Sequence, residues 1–191
     1  MDDFSIIGFQ DVIDSHNILN GFITPEVSAA LFDGCEFSAE EWNQMDDDQK
    51  VGELNELESN IAHLQGRDSI EIQTEDMDSF WDMFTGKKRY GYFDPNTNEI
   101  FVNSSLLDSA DNLVDLVDTV IHEGYHGYQH ACINGTATHP DPMVVAEWKD
   151  NFENYLDPNI YGYEAYYNQP VEVSAREMAA GITDSFYTQY A

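Results

Sequence analysis

The chain has 191 residues, and its 37 acidic residues against 7 Lys and Arg give a formal net charge of −30 at pH 7. So negative a surface repels phosphate backbones and anionic lipid headgroups, which argues against nucleic-acid and membrane-surface binding. Its 42% hydrophobic and 13% aromatic residues exclude a disordered chain and suit one domain with a sizeable core. The charge indicates either an adaptation for solubility or salt, or attraction to a basic partner.

The ends and apolar stretches of the sequence bear on where the protein acts. The first twenty residues contain two early aspartates and no basic region, so they do not predict a secretory signal. No apolar stretch approaches the ~20 residues of a membrane span. We expect a soluble protein that is cytoplasmic, exported without a cleaved signal, or one module of a longer chain. Cys35 and Cys132 are too few for a disulfide framework and are predicted to be buried free thiols.

Residues 1–68 are predicted to form a mainly helical N-terminal part. Residues 38–41, SAEE, have the form of a capping box that opens a short helix. Residues 47–65 carry apolar side chains at three- to four-residue spacing, which predicts an amphipathic helix that ends at Gly66. The acidic side chains of this helix are expected to be solvated: Glu53, Glu56 and Glu58.

Residues 69–191 are predicted to form an α+β core that packs with the N-terminal part as one compact unit. Residues 69–74 alternate in polarity like a half-buried strand. Residues 89–93 and 99–103 flank a run of turn-forming residues and predict a hairpin. Three helices are expected to follow, at about residues 109–129, 144–155 and 170–187. The fold class is therefore α+β, mainly helical, with a small sheet packed on the helix near residue 120.

The segment HEGYH, residues 122–126, carries the chemistry. Positions four apart lie one turn apart on one helix face, so His122 and His126 can direct two imidazoles at one ion. Glu123 lies ~100° around the helix, beside such an ion, where a base can take a proton from water. The alternative is a buried helix whose histidines are satisfied by hydrogen bonds.

The pattern resembles the gluzincin branch of the zinc metallopeptidases. The resemblance is carried by HEGYH, the preceding strand EIFVN, and the Glu in the following QPVEVSAREMA. From about Tyr90 to Ala180 the chain is also similar to metallopeptidase-like domains of bacterial toxin and effector proteins. The resemblance implies a zincin-like core in which the HExxH helix packs on the sheet and residues 99–103 offer a free edge to an extended substrate. For a toxin, it further implies an inhibitor or immunity protein as partner.

Several residues compete as the third ligand. His130 stands ~12 Å along the helix axis from His122, so one ion could reach both only if the helix broke at Gly127. Cys132 falls where a metzincin pattern has its last histidine, but that pattern requires Gly at position 129. The remaining alternatives, His139 and Asp141, lie in a predicted loop with no supporting spacing.

Glu172 is the preferred third ligand. It lies 46 residues beyond His126, far enough for a second helix to return across the first. Ala175 and Ala179 share its helical stripe, and small side chains let two helices approach closely. The alternative for Glu172 is an acidic residue in a first helical turn, paired with Arg176.

The sequence thus predicts a zinc-dependent metallopeptidase with His122, His126 and Glu172 as metal ligands and Glu123 as general base. The expected substrate is a peptide or protein, with a basic target or cleavage near Lys or Arg favoured by the acidic charge. Candidates for stabilising the oxyanion are the neighbouring aromatic residues and one histidine: Tyr161, Tyr163, Tyr166, Tyr167 and His139. The alternative function is a non-catalytic, zinc-containing acidic protein that sequesters a basic partner.

Overall fold

A computed structural model describes residues 25–78 and 89–190 of the chain. The expectation about a signal in the first twenty residues concerns a part of the chain outside these ranges. Within them, no helix has both the length and the apolar character needed to cross a membrane.

Within residues 25–78, three helices precede the sheet, and the sequence pattern predicts the second and the third of them. They are α1 (Pro25–Leu31), α2 (Ala39–Trp42) and α3 (Asp47–Gln65). The predicted cap of α2 is confirmed, because the Ser38 side chain accepts a hydrogen bond from the Glu41 backbone N–H. Helix α3 has the predicted bounds and ends at Gly66, whose φ of 65° is the left-handed conformation that glycine adopts without strain.

Glu58 corrects the expectation of a solvated acidic face on α3. Its side chain is fully buried, with Oε1 2.5 Å from Nη1 of Arg67 and Oε2 accepting a hydrogen bond of 2.8 Å from the Ile70 N–H. The residue lies on the same stripe as Leu54, Leu57 and Ile61, so the periodicity that buries these side chains also buries Glu58. The guanidinium of Arg67, just beyond the end of the helix, offsets the cost of burying this carboxylate.

The sheet has three strands, β1 (Glu71–Glu75), β2 (Gly91–Asp94) and β3 (Glu99–Asn103), in the order β1-β3-β2. Strands β2 and β3 form the predicted antiparallel hairpin, in which Phe93 pairs with Ile100. Strand β1 pairs with β3 in parallel. The expectation that residues 99–103 offer a free edge is therefore wrong, since β3 is hydrogen-bonded on both sides and β1 and β2 are the outer strands among the described residues.

Two short 3-10 segments, Ser104–Leu106 and Ala110–Asn112, lead into the helical half. The helices are α4 (Leu113–Asn134), α5 (Pro142–Glu153), α6 (Pro158–Tyr161), α7 (Tyr163–Tyr167) and α8 (Pro170–Tyr190). Helix α4 continues five residues past the predicted end at Gln129 and closes at Gly135, with φ of 75°. It continues because Gln129 and Cys132 still face buried surroundings, a tertiary effect that local periodicity does not register.

Helix α4 occupies the centre of the molecule. It packs against α8, α3, α5 and the strands β2 and β3. A Cβ atom at Gly127 would lie 2.1 Å from Cδ1 of Ile70, so glycine lets α4 approach the residues that lead into β1. The buried apolar side chains form one cluster that extends from Val27 on α1 to Phe186 on α8. The α+β class is confirmed, and side chains before and after residue 68 share this core.

Candidate metal centre

His122 and His126 converge on one point beside α4. Their Nε2 atoms lie 3.2 Å apart, and the two rings meet edge to face with centroids 4.8 Å apart. Both side chains are largely buried, with exposed fractions of 15% and 10%. The one-turn spacing thus brings the two imidazoles together as the sequence predicts.

Helix α8 brings Glu172 to the same point. Its Oε2 lies 3.3 Å from Nε2 of His122, and its Oε1 lies 3.5 Å from Nε2 of His126. Ala175 and Ala179 are buried on the same stripe of α8, so small side chains separate α8 from its neighbours, as expected. The alternative pairing with Arg176 does not form, since Arg176 donates to the Tyr167 carbonyl oxygen and stacks on the Tyr167 ring.

The spacing of the three side chains can be compared with that of zinc ligands. Bonds of ~2.0–2.1 Å directed at the corners of a tetrahedron place neighbouring ligand atoms about 3.3–3.4 Å apart. The two imidazole nitrogens lie 3.2 Å apart, and they lie 3.3 and 3.5 Å from different carboxylate oxygens of Glu172, so the three groups are spaced closely enough to share one ion. Glu172 Oε2 is buried and has no hydrogen-bond partner, although a buried carboxylate oxygen normally has one. A cation between the two imidazoles and this carboxylate would satisfy it.

Gln129 orients His126, and sequence reasoning missed this residue. The fully buried Gln129 donates from Nε2 to the Val171 carbonyl oxygen at 3.0 Å and to Ser174 Oγ at 2.8 Å. A carbonyl oxygen only accepts, so Oε1 must be the atom that lies 2.8 Å from Nδ1 of His126. In the neutral form of His126, Nδ1 therefore carries the proton, which leaves the Nε2 lone pair directed at the cluster.

The charge state of Glu172 also suits a ligand. Burial alone would raise the pKa of this carboxyl, but the two imidazoles and the Tyr155 hydroxyl together hold it well below its usual range. The Tyr155 hydroxyl donates to Glu172 Oε1 at 2.7 Å. Burial and this carboxylate raise the pKa of Tyr155, so its hydroxyl stays a donor at neutral pH. Glu172 is thus an anion fixed from one side and open towards the histidines.

Glu123 lies beside the cluster. One of its oxygen atoms is within 4.8 Å of ligand atoms of both His122 and His126, so these three residues form a second possible ligand set. We prefer Glu172 as the ligand because it contacts both imidazoles at 3.5 Å or less. Glu123 Oε2 instead accepts a hydrogen bond of 3.0 Å from the backbone N–H of Phe93 on the edge strand β2. The hairpin therefore holds one oxygen of Glu123 and leaves the other available.

The other candidate ligands lie apart from this group. His130 packs its ring against Phe93 and Phe152, and burial together with the charge of His126 lowers its pKa. His139 interacts with the backbone of Asp141 and meets the Trp148 ring edge to face. Asp141 caps α5 through Met143 N–H. Because α4 continues unbroken through Gly127, His130 stays on the next turn rather than joining His122.

The two cysteines are free and buried, as predicted. Burial is the main cause that raises the pKa of Cys132, with a hydrogen bond from Tyr128 opposing it. Among the residues that the structure describes, the group within metal-binding distance contains no cysteine.

Two tyrosines, Tyr155 and Tyr166, lie near Glu172, and only Tyr166 was among the predicted candidates. Tyr155, on the segment after α5, was missed because its contact with Glu172 depends on how that segment crosses α8. Tyr166 lies close enough that the Glu172 carboxylate, after burial, raises the pKa of its hydroxyl. The other three predicted tyrosines are largely exposed: Tyr161, Tyr163 and Tyr167.

Comparison with known proteins adds no identification. No protein-family model matches the chain, and no curated protein or solved structure is similar enough to count as a match. The side chains of the site therefore carry the evidence on function.

Proposed function

We propose that the protein is a zinc-dependent peptidase of gluzincin type, with His122, His126 and Glu172 as metal ligands and Glu123 as general base. The observation that carries this proposal is the convergence of two imidazole nitrogens, 3.2 Å apart, on a buried carboxylate whose two oxygens lie 3.3 and 3.5 Å from them. Three ligands leave a fourth position open, which is typical of catalytic rather than structural zinc. The helix that carries HEGYH, the hairpin beside it and the returning α8 support a zincin-like arrangement.

Bound zinc would supply Lewis acidity at this point by polarising a carbonyl group and lowering the pKa of water. Glu123 accepts the proton of the attacking water through the oxygen that Phe93 does not hold. As the oxygen–carbon bond forms and the carbon–nitrogen bond breaks, Glu123 passes that proton to the leaving amine. The Phe93 N–H keeps the carboxylate oriented during both transfers.

The Tyr166 hydroxyl is the donor best placed to stabilise the developing oxyanion, because the single proton of the Tyr155 hydroxyl is donated to Glu172. Burial and the Glu172 carboxylate raise the pKa of Tyr166, so its phenol stays protonated at neutral pH, as a hydrogen-bond donor must be. Tyr155 instead holds Glu172 in place. Secretion as a toxin or effector, and an associated immunity protein, remain predictions that rest on the resemblance alone.

Elemental analysis combined with a Glu123→Gln variant tests the proposal. The wild-type protein should carry about one zinc per chain, the load of a single His₂Glu site. It should also create new termini in a digest of denatured proteins. Glu123→Gln should keep the metal and lose about 10²–10⁴-fold in rate, because the amide cannot accept the proton. Metal without hydrolysis in the wild type would contradict the peptidase and favour the acidic binding protein.

A further inference from the structure

We propose that an exposed tyrosine surface beside the metal centre binds a Lys- or Arg-bearing segment of the polypeptide substrate. This inference rests on the proposed peptidase function and names its substrate class. The surface consists of residues of α6, α7 and the preceding loop: Tyr155, Ile160, Tyr161, Tyr163, Tyr166 and Tyr167.

Most of the exposed large hydrophobic side chains of the described residues lie in this surface. Eight such side chains are exposed in the described ranges, and five of them fall within residues 155–167. Ile160 is 75% exposed, and Tyr161 and Tyr163 are 59% and 60% exposed. Singly scattered exposed apolar residues need no explanation, but a local concentration of them indicates a binding surface.

The rings of this surface lead directly to the metal centre. Tyr163 contacts Tyr166 and Tyr167, with ring centroids 6.1 and 5.5 Å apart. Tyr166 contacts Tyr155 at 6.2 Å, and the Tyr155 hydroxyl bonds Glu172. A polypeptide segment that lies on these rings would therefore also pass Glu123 and the two histidines.

The charge around the rings selects a cationic occupant. From Asp150 to Glu172, both included, the sequence contains five carboxylates and no Lys or Arg. Phenol rings present a negative face that attracts ammonium and guanidinium groups. The chain already uses this contact once, since the guanidinium of Arg176 lies 3.6 Å from the centroid of the Tyr167 ring. A side chain of the same chemistry from a substrate fits the remaining rings better than an acidic or a purely apolar one.

Peptide binding to the Glu123→Gln protein tests this inference without depending on catalysis. The probe is a fluorescent peptide of alternating Gly with Lys and Arg, compared with a peptide in which acetyl-lysine and citrulline replace them. A third peptide carries Leu and Phe at the same positions. Fluorescence anisotropy should show the cationic peptide binding most tightly, with an affinity that falls as salt rises.

The matched variants are Tyr161→Ser with Tyr163→Ser, and Tyr187→Ser as the control. Tyr187 is 60% exposed, as Tyr163 is, but lies near the far end of α8 from Glu172. Removing two rings should weaken binding of the cationic peptide by about five- to thirtyfold, since each exposed cation–π contact is worth ~0.5–1 kcal/mol. Tyr187→Ser should change it less than twofold, the lower limit of one such contact.

Three results would overturn the inference. Equal or tighter binding of the Leu and Phe peptide would identify an apolar occupant. If the double tyrosine variant bound the cationic peptide as tightly as its parent, the overall acidic charge would explain the binding. The same would follow if Tyr187→Ser weakened this binding as much as the double variant does. If the protein dimerised with rising concentration and the double tyrosine variant did not, a second copy of the chain would be the occupant of this surface. Failure of the peptidase itself would appear separately, as a wild-type protein that lacks zinc or cleaves nothing.

Discussion

His126 and Gln129 are joined by a hydrogen bond of 2.8 Å that fixes which imidazole nitrogen faces Glu172. The same amide donates hydrogen bonds to Val171, one residue before Glu172 on α8, and to Ser174, two residues after it. One buried side chain therefore sets the ring orientation of a ligand on α4 and anchors the turn of α8 that carries Glu172. This makes Gln129 a positioning residue for the whole centre.

Replacing Gln129 with Met, which has a similar volume but no hydrogen bonds, should weaken zinc affinity by about 10–100-fold. Gln129→Glu keeps an acceptor for His126 and loses the donor to Val171. It should therefore bind zinc more tightly than Gln129→Met. The measurement is chelator competition, together with the thermal midpoint of the metal-free proteins. If Gln129→Met bound zinc as tightly as wild type, Gln129 would have no positioning role. If its zinc affinity fell only as far as a lower thermal midpoint of the metal-free variant explains, the role of Gln129 would be structural.

Glu172→Ala removes one of three ligands and should weaken zinc binding by more than the ~10–100-fold expected of an orienting residue. The matched control is Glu177→Ala, an exposed acidic residue on the same helix, which should retain wild-type affinity. Chelator competition is required here as well, because excess metal refills a weakened site. Thermal stability should fall in parallel with zinc occupancy, since a ligand that binds only the native state stabilises it. Unchanged affinity in Glu172→Ala would favour Glu123 as the third ligand.

The buried pair of Glu58 and Arg67 should matter for stability more than for chemistry. Arg67→Met leaves a carboxylate buried without its cation and should cost ~3–5 kcal/mol. Adding Glu58→Gln removes the charge while keeping an acceptor for the Ile70 N–H. The double variant should therefore be more stable than Arg67→Met alone. Urea unfolding of the metal-free proteins measures both effects, and additive losses would show that the two side chains do not act as a pair.

Neither cysteine should react with a thiol reagent in the native protein near pH 8. Burial, followed by nearby carboxylates, raises the pKa of Cys35 to about 12, and burial also raises that of Cys132. Less than one thiolate per thousand Cys35 side chains would then be present at pH 8, as follows from a pKa about four units higher. Both thiols should react once urea unfolds the chain. If zinc removal alone made Cys132 reactive, that cysteine would have to be reconsidered as a ligand.

Local pattern predicted most of the elements and the three side chains that converge beside α4, but not the contacts made by distant parts of the chain. Apolar periodicity located α3 and the hairpin, and the Ala175–Ala179 stripe singled out Glu172. The central position of β3 was not predictable, because β1 reaches it by a parallel pairing with no local signal. Tyr155 and Gln129 were missed for the same reason. Each acquires its role only where another segment crosses α8.

X-ray absorption at the zinc edge tests the central claim most directly. The account predicts a first shell of nitrogen and oxygen atoms at ~2.0–2.2 Å, including the multiple scattering of two imidazoles. In Glu172→Ala, one light-atom ligand should be lost or replaced by solvent while both imidazoles remain. A sulfur atom at ~2.3 Å, or a shell unchanged by Glu172→Ala, would contradict a site built from His122, His126 and Glu172.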